Sequence, residues 1–274
     1  MAIEGPWITV MGAVYLQKAI VQHLAGPIFL PPQRLHDPQT MDYALRLFYA
    51  LRKAFQCLDK YYSCLSRQVS HARFFPHIRS YGRSGAMKLE YITPPRDISK
   101  AVYLANVDGT KVIVKFALKY NAEAHCLLAD NDLAPKLLYN GANGRRYGGL
   151  IMLVMEYVEG QILGEYLHSS PSQEHLEAIM KLVETAVHLL HGRNLVFGDL
   201  RTPNILVDND ARVRFVDFDW CGIHGMDRYP FIIGNGIEWA GGVGPLSVMD
   251  KAHDLHMLNN LLAHIRAREV PGTW

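Results

Sequence analysis

Apolar residues recur every three or four positions between residues 42 and 69: Leu45, Phe48, Leu51, Phe55, Leu58, Tyr62 and Leu65. On a helix of 3.6 residues per turn they form one stripe, which predicts a helix packing its aromatic face into a core. The stretch 27–38, with four prolines, reads as the loop before it. Residues 1–86 as a whole are expected to form a helical extension.

From residue 87 the pattern changes to strands. Segments 87–93, 98–107 and 110–118 are rich in Val, Ile, Tyr and Thr, and Asp108-Gly109 between the last two is a hairpin turn. A short helix is expected over 121–131, capped by Asn121. Two further strands, 136–139 and 149–156, flank a loop containing Asn140-Gly141 and Asn143-Gly144. Beyond Gly160 the pattern is helical again. Ser170-Pro171-Ser172-Gln173 fits a capping box with Ser170 at the N-cap. The helix after it, running to 191–192, should bury Ile179, Leu182, Val183, Ala186, Leu189 and Leu190. The class is α+β, with a strand-rich part at 87–160 and a mainly helical part at 161–274.

The length of 274 residues suits two unequal lobes better than one small core. With 49% hydrophobic and 20% charged residues and no low-complexity tract, disorder is not expected. The net charge of +2 gives no electrostatic case for nucleic acid or an anionic membrane as partner. The apolar run 8–24 is broken by Gln17, Lys18, Gln22 and His23, and the start carries no basic signal region, so a soluble, intracellular protein is expected. Cys57, Cys64, Cys126 and Cys221 form no Cys-x-x-Cys pair and read as buried free thiols. His253 and His256 share a helix face, but without a cysteine pair no zinc site is expected.

The chemistry concentrates in Val196-Phe197-Gly198-Asp199-Leu200-Arg201-Thr202-Pro203-Asn204-Ile205-Leu206-Val207 and, after an Asp208-Asn209-Asp210 turn, Val213-Arg214-Phe215-Val216-Asp217-Phe218-Asp219. A hairpin over these residues would bring Asn204 and Asp217 side by side, with Asp199 on the loop nearby. Two close oxygen donors suit Mg²⁺, which binds through one or two carboxylates plus phosphate oxygens. Asp199 could then orient an attacking hydroxyl or accept its proton.

These residues resemble the protein-kinase-like superfamily, whose catalytic loop reads H-R-D-L-x-x-x-N and whose metal motif is D-F-G. Asp199-Leu200 with Asn204 in register, followed by Asp217-Phe218-Asp219, is similar to both, and Val112-Ile113-Val114-Lys115 is similar to V-A-I-K. The resemblance implies a bilobal kinase-like fold with a small antiparallel-sheet N-lobe (87–160), a shortened, mainly helical C-lobe (161–274) and the helical extension. It implies a kinase that uses ATP and Mg²⁺. Lys115, paired with Glu123, would hold the α- and β-phosphates, and Asn204 and Asp217 would hold the metal. Asp199 would orient the acceptor hydroxyl, while Arg201 would stabilise charge on the transferred group. Met155 would be the gatekeeper, the Glu156 carbonyl and Val158 amide would bond adenine, Ile113 would roof the base and Leu206 would floor it. Asp254 resembles the buried aspartate that braces the catalytic loop. The whole chain looks similar to fungal kinase-domain proteins.

Some features depart from the family pattern. Pro94-Pro95-Arg96-Asp97-Ile98-Ser99-Lys100 stands where a glycine-rich loop belongs, leaving Arg96 or Lys100 to supply charge. Ile113 is larger than the usual alanine. Gly198 replaces the arginine before the catalytic aspartate, as in aminoglycoside and choline-type kinases, whereas Arg201 sits where Ser/Thr kinases carry lysine. The acceptor hydroxyl is thus open between a protein and a small molecule. A pseudokinase scaffold, engaging a protein through the N-terminal helices, is the alternative reading.

Overall fold

The computed structural model describes residues 2–4, 7–15, 19–29, 38–64, 76, 78–82, 85–93, 101–144, 146–147, 149–234 and 236–268. The chain divides into two units, Met1–Arg73 and Phe74–Trp274.

In the first unit, β1 (Ala2–Glu4), β2 (Trp7–Tyr15) and β3 (Ala19–Phe29) form an antiparallel sheet, followed by helix α1 (Pro38–Ser63). The strands correct the expectation of an all-helical extension. Ile8 and Val10 are buried while Met11 is exposed, so this stretch alternates at the strand period of two. Helix α1 forms as the spacing predicts, but its apolar stripe is not a core face. Leu45, Phe48, Phe55, Leu58 and Tyr62 are exposed and Leu51 is half-buried. Periodicity fixes which residues share a face; it carries no information about what covers that face. Leu65 lies outside the described residues.

The second unit opens with the pair β4 (Ser80–Tyr81) and β5 (Met87–Lys88). Then come β6 (Glu90–Thr93), β7 (Val102–Val107), β8 (Thr110–Ala117), helix α2 (Ala122–Ala129), β9 (Leu137–Asn140) and β10 (Ile151–Glu156). The strands build one antiparallel sheet in the order β6-β7-β8-β10-β9. Asp108 and Gly109 both adopt positive φ, the geometry of a two-residue hairpin turn, and pair Val107 with Thr110. Residues 94–100, with Arg96 and Lys100, lie outside the described residues. Strand β10 is buried on both faces: Met152 and Val154 join Val112 and Val114 in one cluster, and Ile151, Leu153 and Met155 join Ala117 in another. Asn121 caps α2, its Oδ1 accepting from the Ala124 amide at 3.0 Å.

The remaining elements are β11 (Gln161–Ile162), α3 (Leu163–His168), α4 (Gln173–Gly192), β12 (Leu195–Val196), β13 (Ile205–Val207), β14 (Val213–Phe215), β15 (Gly222–Ile223) and α5 (Lys251–Ala267). The cap of α4 is Ser172, whose hydroxyl accepts from the His175 amide at 3.2 Å. Ser170, the expected cap, turns at φ 57° just after α3 and so cannot take the extended cap conformation. Helix α4 buries Ile179, Val183, Ala186 and Leu190, with Leu176 and Val187 joining them and Leu182 and Leu189 half-buried. Its face meets α2, α5 and the strands carrying the candidate site in one large core. Asp250 caps α5 in a reciprocal box with His253.

All four cysteines are free, but the expectation that they are buried holds only for Cys221; Cys57, Cys64 and Cys126 lie on solvent-facing positions. Among the described residues no helix is long and apolar enough to cross a membrane.

Candidate active site

After β12 the chain enters a loop whose backbone is held from below. The Asp254 carboxylate, 1% exposed, accepts from the Phe197 amide at 2.7 Å and the Gly198 amide at 2.9 Å. His191 Nε2, at the end of α4, lies 3.1 Å from the same carboxylate. Gly198 sits at φ 80°, and a Cβ there would lie 2.5 Å from Met249 Cε, so both backbone and space call for glycine.

Asp199 is buried at 6% exposure and held by two side chains. Arg201 grips it with two parallel bonds, Nε to Oδ1 and Nη2 to Oδ2, the second at 2.8 Å. Asn204 Nδ2 reaches both the Asp199 backbone carbonyl (2.9 Å) and Oδ2 (2.8 Å). The Arg201 guanidinium lies 5.5 Å from the Trp239 ring, which stacks on Trp220 at 5.5 Å.

The β13–β14 hairpin brings the second acid in. The Val216 amide donates to the Asn204 carbonyl at 2.9 Å, which sets Asn204 beside the strand end carrying Asp217. Asp217 turns at φ 68°, and its Oδ1 accepts from Lys115 Nζ at 2.6 Å. Asp219 Oδ1 lies the same 2.6 Å from Lys115 Nζ. Burial raises the Asp219 carboxyl to about 6, with Lys115 opposing and Asp217 adding to the rise.

A cavity of about 340 Å³ opens above this cluster. Ile113, Lys115, Met155, Glu156, Val158, Asn204, Leu206 and Asp217 all line it, as do Val102, Tyr157 and Pro203, which the sequence did not single out. Ile113 lines this cavity without closing it. Asp199 and Arg201 adjoin it through Asn204. Glu123 is the residue not brought in: it is exposed on α2, while Lys115 pairs with Asp217 and Asp219. Asp219, Trp220 and Trp239 were missed; the D-F-D spelling was the one available signal for Asp219.

Helix α2 touches the site through His125 instead. Its buried ring stacks on Phe218 at 4.8 Å, and Nε2 lies 2.6 Å from the Pro135 carbonyl and Nδ1 2.6 Å from the Tyr120 hydroxyl. Burial holds the imidazole below its ordinary 6.5, and nearby Lys115 adds to this while the Pro135 carbonyl opposes it. The unfolded chain therefore takes up a proton near 6.5 that the native ring refuses, so stability should fall as pH drops through that range. Thermal melts at pH 7.5 and below 6 should show a shallower pH dependence in His125→Gln; equal slopes would contradict this assignment.

Asn204 and Asp217 offer an amide and a carboxylate at the cavity floor, hard oxygen donors that fit Mg²⁺. The cavity, with the buried Lys115 in its lining, fits a nucleotide.

A family model described as the protein kinase domain matches residues 145–228. The chain is 30% identical over 80 residues to "Serine/threonine-protein kinase PAK 4" of Homo sapiens, covering 29% of this chain and 14% of that protein. It is 37% identical over 68 residues to "KEOPS complex subunit Bud32" of Pyrococcus abyssi, covering 25% of this chain and 30% of that one. The match therefore spans less than a third of either relative. Among solved structures, the Cydia pomonella granulovirus kinase PK-1 superposes with a TM-score of 0.55 at 20% identity, covering 67% of this chain and 70% of the other.

Proposed function

We propose that this chain, which shares its fold with a kinase of known structure, moves the γ-phosphate of ATP to a hydroxyl acceptor on a protein or a small molecule. The observation that carries this reading is the convergence of Lys115, Asn204 and Asp217 on one cavity, with Asp199 bonded directly to Asn204. In the reaction the bond between the γ-phosphorus and its bridging oxygen breaks, a bond from the acceptor oxygen forms, and the acceptor's proton passes to Asp199. Lys115 holds phosphate oxygens, and the hinge residues Glu156 and Val158, between Met155 and Leu206, take the base. Bound Mg²⁺, held by Asn204 and Asp217, would neutralise phosphate charge. Arg201, bonded to Asp199, would offset charge on the transferred group.

A second reading, a pseudokinase scaffold, draws on that same Arg201 grip, which leaves Asp199 neutralised in the resting protein. Thermal unfolding separates the two. Mg²⁺–ATP at a hundred times its dissociation constant should stabilise the wild type by about 2.7 kcal/mol, and Asp217→Ala should lose the metal-dependent part of that shift. No shift in the wild type at millimolar ATP would leave the scaffold as the account to pursue.

A further inference from the structure

We propose that Asp219 is the positioning residue for Lys115, taking the part expected of Glu123. The inference rests on the phosphotransferase reading for its purpose, although not for its geometry.

Lys115 is 8% exposed, and an ammonium so enclosed needs compensating charge. Two carboxylates supply it, each at 2.6 Å. They reach the same ammonium because Asp217 adopts a left-handed φ of 68°, bending the backbone between the two acids. Of the pair, Asp217 is the one placed to serve a cation beside Asn204. A carboxylate committed to a dication attracts the lysine less, and the dication repels it. Asp219 can stay on Lys115 throughout.

The backbone around Asp219 is also fixed from both sides. The Asn121 amide, at the start of α2, donates to the Phe218 carbonyl at 3.2 Å, and Asn121 Nδ2 donates to the Cys221 carbonyl at 3.4 Å. The Phe218 ring, fully buried, is stacked on His125 of the same helix. Helix α2 thus acts on Lys115 through the segment that Asn121 and His125 pin rather than through Glu123. Tyr120, bonded to His125, adds a second contact, its ring lying 5.5 Å from Lys115 Nζ, while Glu123 faces solvent.

The test reads Lys115 directly, in protein without nucleotide or metal. At one fixed pH, the rate of its acylation by an amine-reactive ester is followed by peptide mass spectrometry. Asp219→Asn should speed the reaction about tenfold, the factor that losing one charge-assisted hydrogen bond implies. Glu123→Gln should change it by no more than roughly twofold, and Asp219→Glu should restore the slow rate. ATP binding in EDTA should weaken in Asp219→Asn and recover in Asp219→Glu. An unchanged acylation rate in Asp219→Asn overturns the proposal. So does ATP affinity that falls only when Mg²⁺ is present, which would make Asp219 a cation ligand, or metal-free affinity that rises, which would make it a competitor of phosphate. If the wild type binds no nucleotide under any condition, the phosphotransferase reading fails, while the acylation rates still decide what Asp219 does.

Discussion

Asp199→Ala is expected to lower phosphoryl transfer about a thousandfold, within the range that a positioned general base contributes, while leaving nucleotide affinity nearly intact. The separation follows from how Asn204 is held. Its amide bonds the Asp199 carboxylate and also the Asp199 backbone carbonyl at 2.9 Å, and the second bond survives truncation to alanine. Asn204 therefore keeps its place, and Lys115 keeps its bonds to Asp217 and Asp219. What is lost is the acceptor for the hydroxyl proton and the partner of Arg201. Initial rates with an identified acceptor, beside an ATP titration monitored by calorimetry, test both halves. Retention of more than a tenth of the wild-type rate would remove Asp199 from the mechanism, and a parallel collapse of ATP binding would show that its role is structural.

Asp254→Ala should have the largest effect on stability, about 3 kcal/mol. Its carboxylate is 1% exposed and accepts from two backbone amides, so truncation leaves two buried donors unsatisfied at once. At the scale of a domain of roughly 200 residues that loss reads as a fall of about 6–12 °C in Tm. Activity should fall further than stability at a temperature where the variant is still folded, because the loop carrying Asp199 hangs from those two bonds. A variant that melts within a degree of the wild type would mean that solvent or a neighbour replaces the carboxylate.

What was legible in the sequence and what was not divide along a physical line. Asp199, Asn204 and Asp217 lie within one loop and hairpin, so their proximity follows from local chain geometry, and the turn at Asp108-Gly109 is equally local. The partner of Lys115 is a different matter. Its bonds to Asp217 and Asp219 join residues about a hundred positions apart, and the family pattern pointed instead to Glu123, which α2 turns outward. Trp239 reaches Arg201 across a segment with no periodicity to mark it. At the N-terminus the alternation of Ile8 and Val10 was too short to outweigh the long helical stripe that follows, and the strands there were read as helix. That stripe was itself assigned to a core, because a sequence displays an apolar face without displaying its cover.

The brace beneath the loop that carries Asp199 has a consequence for how the protein is made. The two amides it holds precede it by 57 and 56 residues, and it rides on α5. A ribosome adding about 5–20 residues per second emits that stretch in roughly three to ten seconds. From Asp217 onward the growing chain carries Asp199, Asn204 and Asp217 but still lacks the carboxylate that ties the Asp199 loop down. A nascent polypeptide of this sequence therefore holds that loop unbraced until α5 emerges and docks.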